Sequence, residues 1–398
     1  MQGSWHKNNQ INAIPERICD NVLVFRRIEA VGYRCLKEIS QELNPFEILV
    51  GPNGSGKSAF LDVIQLLGDF VRYGLSGAIL RRSPTFQDLV WSRQGGRFRF
   101  RADLNPPGDL RKLSYTVSFV LDGHARGLAV SDESATVVRH DGSQAVMARS
   151  GDVVQYTSEF GQEVFTHRAN PNFSAVPNFP TDDAFPSLAW LREFFMERIS
   201  VIKLDPKELA TPSPPERALD FVNAGASLAW QIPHLQDRNP AAMEAWTAHV
   251  RTALPDVCRI ESVLQSWDSR RFAALQYKNG IQVPSWLLSE GTLRLLALTI
   301  LAYLPDVRGT YLVEEVENGV HPAAVETIQQ SLSSIYGAQV LVSTHSPVLL
   351  SMAVPEQILC FSKTPEGTKI IRGNEHPALK DWQGEVSLGT MVASGILS

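Results

Sequence analysis

Cysteine is scarce: Cys19, Cys35, Cys258 and Cys360 are the four in 398 residues, scattered singly, with no CxxC pair and no histidine at zinc-ligand spacing. That excludes a disulfide framework and a zinc ribbon, and it fits a reducing compartment where thiols stay free. Long hydrophobic runs are also missing. The most lipid-like stretch, Leu293 to Leu304, contains Arg294 and falls well short of the roughly 20 apolar positions of a bilayer span. The polar segment from Met1 to Gln10 has no signal-peptide core, so the expectation is a cytoplasmic protein without a membrane partner. Neither charge sign dominates. Lys plus Arg number 37 against 42 Asp plus Glu, a net charge of -5, so any contact with nucleic acid must be local. With 44% hydrophobic and 20% charged residues, wholesale disorder and low-complexity polymers are excluded. At roughly 150 residues per domain the length suits two or three lobes. No internal repeat is visible.

Residues 22–31 and 46–50 read as strands, the second ending at Gly51. After Ser58, the positions Leu61, Ile64, Leu67 and Val71 recur at three- and four-residue spacing, one stripe of a helix. Arg97, Arg99 and Arg101 alternate with Phe98 and Phe100, and 113–121 alternates similarly, which predicts an antiparallel sheet with one wet face. The 14 prolines between residues 100 and 285 exclude a long coiled coil there, since each costs a helix interior about 3 kcal/mol. A compact lobe is expected instead, helical at 187–197 and 240–254, with loops at 167–186 and 205–217. The last 110 residues return to a helix at 290–304, a strand at 310–313, a helix at 323–336 and a strand at 340–343, the alternation of a parallel sheet covered by helices. Residues 1–100 and 286–398 are thus expected to build one domain around an inserted β and helical lobe, 101–285.

Gly51-Pro52-Asn53-Gly54-Ser55-Gly56-Lys57-Ser58 fits the phosphate-loop pattern G-x-x-x-x-G-K-[ST]. Glycines let backbone N–H groups turn inward to cradle phosphate oxygens, and the following helix N-terminus adds partial positive charge. Lys57 can then reach the β- and γ-phosphates, and the Ser58 hydroxyl can ligate Mg²⁺. Hydrolysis also needs a carboxylate near the metal and a group that orients water. Tyr311-Leu312-Val313-Glu314-Glu315 supplies both at a strand end: Glu314 for the metal side, Glu315 as general base. His345 follows another apolar strand, at the edge where open α/β sheets bind ligands, and could hydrogen-bond the γ-phosphate or the attacking water. The alternatives are structural: a glycine-rich turn, a solvated acidic loop and a turn histidine.

Four segments in order, Gly51–Ser58, Leu288-Ser289-Glu290-Gly291-Thr292, Glu314 to Pro322 and Ser343-Thr344-His345-Ser346-Pro347, resemble the motif set of ABC-type ATPase heads. Within that superfamily the chain is similar to the RecF/SMC-related ATPases of OLD-family nucleases and bacterial defence operons. The resemblance covers roughly residues 22–75 and 220–398. It implies an α/β fold, a P-loop head with a mixed or parallel central sheet flanked by helices, and ATP and Mg²⁺ as ligands. It implies that Ser289, Glu290 and Gly291 form the signature that touches the γ-phosphate of another subunit, in agreement with Ser289 as an N-cap whose helix aims N–H groups at an anion. It also implies that Arg34, in Gly32-Tyr33-Arg34-Cys35-Leu36, is brought towards the nucleotide. Three departures stand out. Val316 occupies the family's usual proline position, which predicts a less rigid loop and leaves the role of Glu317 open. The glutamine of the metal site is Gln87, Gln155 or Gln162. Only 53 residues follow His345, with no DxD pair, so an internal Toprim nuclease is not expected.

One phosphate loop and one signature per chain require two chains for two composite sites, so the expected partner is the protein itself, as a homodimer or higher even oligomer. The resemblance implies an ATPase cycle controlling a separately encoded effector, a nuclease or toxin, in DNA surveillance or anti-phage defence. Other readings are a nucleotide-gated scaffold with slow hydrolysis, a RecF-like repair ATPase and, more remotely, a transporter ATPase, whose LSGGQ signature is LSEGT here. Between residues 72 and 112, nine Arg or Lys face three Asp. That excess could contact DNA phosphates in a salt-dependent way, or could be the solvated face of a sheet.

Overall fold

The computed structural model describes residues 24–106, 112–122, 127–139, 142–161, 163–181, 183–217, 224–379 and 387–393. The amino-terminal ten residues, together with Cys19, Asp109, Arg111 and Gln162, lie outside the described residues.

Strands and helices are numbered in chain order. An antiparallel sheet of eight strands runs in the spatial order β2 (Leu36–Glu42), β1 (Phe25–Tyr33), β4 (Arg97–Leu104), β5 (Leu113–Asp122), β6 (Gly127–Arg139), β7 (Gly142–Ser150), β8 (Val153–Thr157), β9 (Val164–Arg168). Along β4 the phenylalanines are buried and the arginines exposed, the expected half-wet alternation. The sheet that positions the site has the order β10 (Ile199–Ile202), β14 (Gly309–Glu314), β15 (Ala338–Ser343), β3 (Phe46–Val50), β16 (Ile358–Thr364), β17 (Gly367–Arg372). Its neighbours pair in parallel except β17, which returns antiparallel to β16. A small sheet of β11 (Val257–Leu264), β12 (Arg271–Tyr277) and β13 (Gln282–Pro284) packs with helices α4 (Ala224–Arg238) and α5 (Pro240–Ala253).

The strands β3, β14 and β15 are mostly apolar and buried along nearly their whole length because both faces of their sheet are covered. Leu49, Leu312, Leu341 and Phe361 join one core, which includes α1 (Lys57–Leu80), α2 (Pro186–Glu197) and the antiparallel sheet. Ile48, Val50, Val313, Val340 and Val342 point the other way. There they meet α4, α5, α6 (Glu290–Thr299), α7 (Pro322–Ser333) and α8 (Pro347–Ser351). The α1 stripe Leu61, Ile64, Leu67 and Val71 is buried, and the helix touches strands of both large sheets. Among the described residues α1 is long and apolar enough to cross a membrane by length and composition, but its apolar window is 67% buried as core between sheets.

Several local expectations change. The expected loop at 205–217 contains α3 (Pro206–Ala210), started by Pro206 at its first position and by Asp205, whose carboxylate accepts from Lys207 N–H at 2.9 Å. The expected loop at 167–186 begins with the end of β9 and holds a 3₁₀ turn at Val176–Asn178. The helix expected over 290–304 is α-helical only to Thr299, then tightens into a 3₁₀ turn at Ile300–Ala302. β10, unmarked by alternation, adds to the edge of the parallel sheet beside β14. The sheets therefore cross positions 100 and 286: β1 and β2 extend the antiparallel sheet, and β10 extends the parallel one.

Candidate functional site

Register brings three strand ends level. Glu314 pairs with Ser343 and Ser343 with Leu49, so the C-terminal ends of β14, β15 and β3 lie side by side, about 4.8 Å apart per strand. Three segments converge at that edge: the phosphate loop after β3, Glu315 after β14 and His345 after β15.

The loop turns into α1 at Gly56, whose φ of 111° lies in the left-handed region that favours glycine. No side chain caps α1, so the first-turn N–H groups remain directed at the loop. Lys57 Nζ arches back to donate to Gly51 O at 2.7 Å and Pro52 O at 3.1 Å. Burial pulls its ammonium below the usual lysine range, while Glu315 and Glu317 push it back up. Ser58 Oγ donates to Glu314 Oε2 at 3.0 Å. A hydroxyl and a carboxylate are hard oxygen donors, few in number, which suits Mg²⁺, an ion that keeps waters and substrate phosphates in its shell. Among the described residues no group of three or more His, Cys, Asp or Glu could hold a metal, so a zinc-type cage is not offered.

Glu315 has φ 51°, left-handed for a non-glycine residue, and is held by its N–H donating to Ser343 O at 2.9 Å. Asn318 Nδ2 donates to its carboxylate. Glu317, left open by the sequence, proves to be a strut: Oε2 accepts from Thr344 Oγ1 at 2.9 Å and Oε1 from the His345 N–H. Val316 is 2% exposed and packs into the core, so the loop that should have been slacker without proline is held on both sides. A cavity of about 710 Å³ is lined by Asn53, Glu315, Glu317, Asn318 and His345 among others. The structure thus brings Asn53, Glu315 and His345 around one space beside Lys57, Ser58 and Glu314.

Ser289, Glu290 and Gly291 are not among the residues lining that cavity. Ser289 caps α6, accepting from Thr292 N–H at 3.2 Å, and Glu290 pairs with Arg294 at 2.9 Å. Gly291 sits against the Gly319 carbonyl, where an added Cβ would come within 2.5 Å. Ser289 and Glu290 are exposed, and Glu290 lies beside Gly319.

Arg34 is not at the cavity either. Its guanidinium pairs with Asp62 at 2.9 Å, one turn beyond Ser58 on α1, and its N–H donates to Leu89 O at 2.8 Å. Asp62 also accepts from Tyr33 Oη and Arg82 Nε, each at 2.6 Å, an arrangement no motif announced. Of the candidate glutamines, Gln87 lies on the 3₁₀ turn Phe86–Leu89 that holds Arg34, with a buried Oε1 lacking a hydrogen-bond partner among the described residues. Gln155 lies on β8, five strands from β1 and so roughly 24 Å across the sheet. The basic excess is largely absorbed: Arg72 donates to carbonyls of Met196 and Ile199, Arg81 covers the Tyr73 ring, and Arg82, Arg93 and Arg101 pair with aspartates. Arg97, Arg99 and Lys112 remain exposed.

Comparison with known proteins bears on the family and the fold. A family model described as "AAA domain, putative AbiEii toxin, Type IV TA system" matches residues 47–137 and 158–351. A curated relative, "Retron Vc95 probable ATPase" of Vibrio cholerae serotype O1 biovar El Tor, is 27% identical over 113 residues, 25% of this chain and 22% of that protein. The alignment therefore spans about a fifth of that relative. Among solved structures, the Smc head bound to the C-winged helix domain of ScpA superposes with a TM-score of 0.54 at 16% identity, covering 88% of this chain and 98% of that one. The Smc head domain with an extended coiled coil bound to the C-terminal domain of ScpA, derived from Pyrococcus furiosus, gives 0.52 at 15%, covering 94% and 100%. At these identities the likeness concerns the fold.

Proposed function

The chain belongs to the AAA domain family of putative AbiEii-type toxins of type IV toxin–antitoxin systems, with the fold of ABC-type P-loop ATPase heads, and from that membership we propose a Mg²⁺-dependent ATPase that works as a head-to-tail homodimer. The observation that supports it most is a division: the proposed triphosphate cradle, both glutamates and His345 share one edge of the sheet, while Ser289 caps a helix whose exposed start packs beside Gly319 without lining that space. Each protomer offers half of a site.

In this reading Lys57 gives up the carbonyls of Gly51 and Pro52 for phosphate oxygens. Ser58 and Glu314 would hold the metal, which when bound would supply positive charge to the β- and γ-phosphates. Glu315 takes the proton of a water that attacks the γ-phosphorus as the bond to the β-bridging oxygen breaks, yielding ADP and phosphate. His345 donates to the γ-phosphate. Ser289 and the α6 N-terminus of the second protomer close over the same group. Turnover then opens the dimer and resets a separately encoded effector. The family description, which names a putative toxin and a type IV TA system, and the retron relative support that setting.

Complementation tests the division. Lys57→Ala and Ser289→Arg proteins should each be inactive, and an equimolar mixture should regain roughly a quarter of wild-type turnover, since half of the dimers carry one intact composite site of two. A mixture as inactive as its components would remove the head-to-tail arrangement.

A further inference from the structure

We propose that Thr368 is a positioning residue for the phosphate loop, orienting a backbone amide for the nucleotide from a hairpin some three hundred residues away in sequence. The inference rests on reading Gly51–Ser58 as the triphosphate cradle.

Thr368 is the second residue of β17, 9% exposed, and its hairpin with β16 runs beside β3. Its Oγ1 donates to Ser55 O at 2.8 Å, and its N–H donates to Cys35 O at 3.1 Å. Its side chain fills the space a Cβ on Gly56 would need: that atom would run into Thr368 Oγ1 and come within 3.0 Å of Cγ2 and 3.2 Å of Cys35 Sγ. The loop, the β1–β2 turn and the β16–β17 hairpin therefore meet at one residue, the loop through its hydroxyl and the turn through its N–H.

Peptide geometry gives this contact a consequence. No peptide bond among the described residues is cis, so the Ser55 carbonyl and the Gly56 N–H point in opposite directions from one plane. Holding the carbonyl outward, on Thr368, turns the Gly56 N–H inward, towards the space the loop encloses. If that peptide flipped, a carbonyl dipole would face the phosphates and repel them, while a donor would be lost. Ser55 Oγ is buried without a partner among the described residues, so no other side-chain bond from Ser55 fixes the plane. Thr368 need not touch the nucleotide. It acts by removing a competing loop conformation, which affects affinity more than the chemical step.

The test is ATP binding and steady-state hydrolysis by wild type, Thr368→Val and Thr368→Ser, with Lys57→Ala as the loop control. Val keeps the volume and removes the donor; Ser keeps the donor. Thr368→Val should weaken ATP binding about tenfold and raise KM similarly with kcat within about twofold, and Thr368→Ser should stay near wild type. If the Val protein fails to fold, Thr368→Ala, which adds no bulk, serves for the same comparison. Donor-less variants that bind ATP as wild type does, or a Ser variant as weak as the Val one, would overturn the proposal. A wild-type protein that binds no ATP would instead overturn the reading of the loop, so the two failures are distinguishable.

Discussion

Ser58 Oγ and Glu314 Oε2 lie 3.0 Å apart, joining the first turn of α1 to the end of β14 across 256 residues of sequence. The contact depends on β3 and β14 flanking β15 in level register, so one central sheet sets the spacing of two hard ligands. Removing either ligand should loosen the metal while sparing the fold, because Ser58 is exposed and Glu314 only half-buried. Ser58→Ala and Glu314→Gln are expected to raise the Mg²⁺ concentration for half-maximal turnover by about tenfold or more, which a Mg²⁺ titration at fixed ATP reads directly. An unchanged titration in both would place the metal elsewhere.

Glu315 occupies a left-handed backbone conformation that costs a non-glycine residue about 1–2 kcal/mol, so its surroundings over-determine its place. Glu315→Gln keeps the shape and the Asn318 contact but removes the proton acceptor. Turnover should fall by about 10²–10⁴-fold with ATP affinity retained, and ATP should accumulate a dimer visible on size exclusion. Wild-type turnover would take Glu315 out of the chemistry.

Asp62 collects Tyr33, Arg34 and Arg82, and Arg82 reaches on to Asp69 at 2.8 Å. With 11% of the Asp62 side chain and 5% of the Arg82 side chain exposed, loss of the carboxylate leaves a buried guanidinium with Asp69 as its remaining carboxylate partner. Asp62→Asn should cost about 2 kcal/mol, seen as a lowered urea midpoint, because Asp69 still faces Arg82. Arg34 is 32% exposed, so Arg34→Ala should cost less than about 1 kcal/mol. Equal losses would show that Arg34, not Arg82, is the partner that matters. A weaker ATP affinity confined to Arg34→Ala would support the role the family resemblance gives that residue.

The features legible in the sequence are local. A glycine loop between an apolar strand and a periodic helix signals itself, and so does Ser289 before α6, because each feature is written in adjacent residues. The parallel alternation near the C-terminus did the same for β14 and β15. Thr368, Asp62 and Glu317 carry no such signature: each matters through a partner brought close only by tertiary pairing, as when Thr368 meets Ser55 or Glu317 meets Thr344. β10 was missed because four residues buried at a sheet edge show no alternation, and α3 because its cue, Asp205-Pro206, lies in a proline-rich stretch that reads as loop. The arginines of 72–112 show the opposite relation. Counted along the chain they are a basic run, whereas in space most are paired or packed.

Behind the loop, Glu47 of β3 is fully buried and accepts from Arg372 at 2.8 and 3.2 Å and from Asn44 N–H at 2.6 Å. Burial pushes its carboxyl up to about 7, while the guanidinium pulls it down. A carboxyl raised on folding holds a proton that the unfolded chain releases, so its contribution to stability falls as pH rises from about 4.5 to about 7 and levels off above. In Arg372→Met the restraining cation is gone and the folded-state value climbs further. Below pH 7 both proteins hold the proton and their stability gap should be constant. Above it wild type has levelled off while the variant keeps losing, so the gap should widen by about 1.4 kcal/mol per pH unit until the variant's own value is passed. Urea unfolding at pH 6, 7, 8 and 8.5 measures this. A gap that stays flat across that range would mean that Glu47 does not need Arg372 to remain ionised in the folded protein.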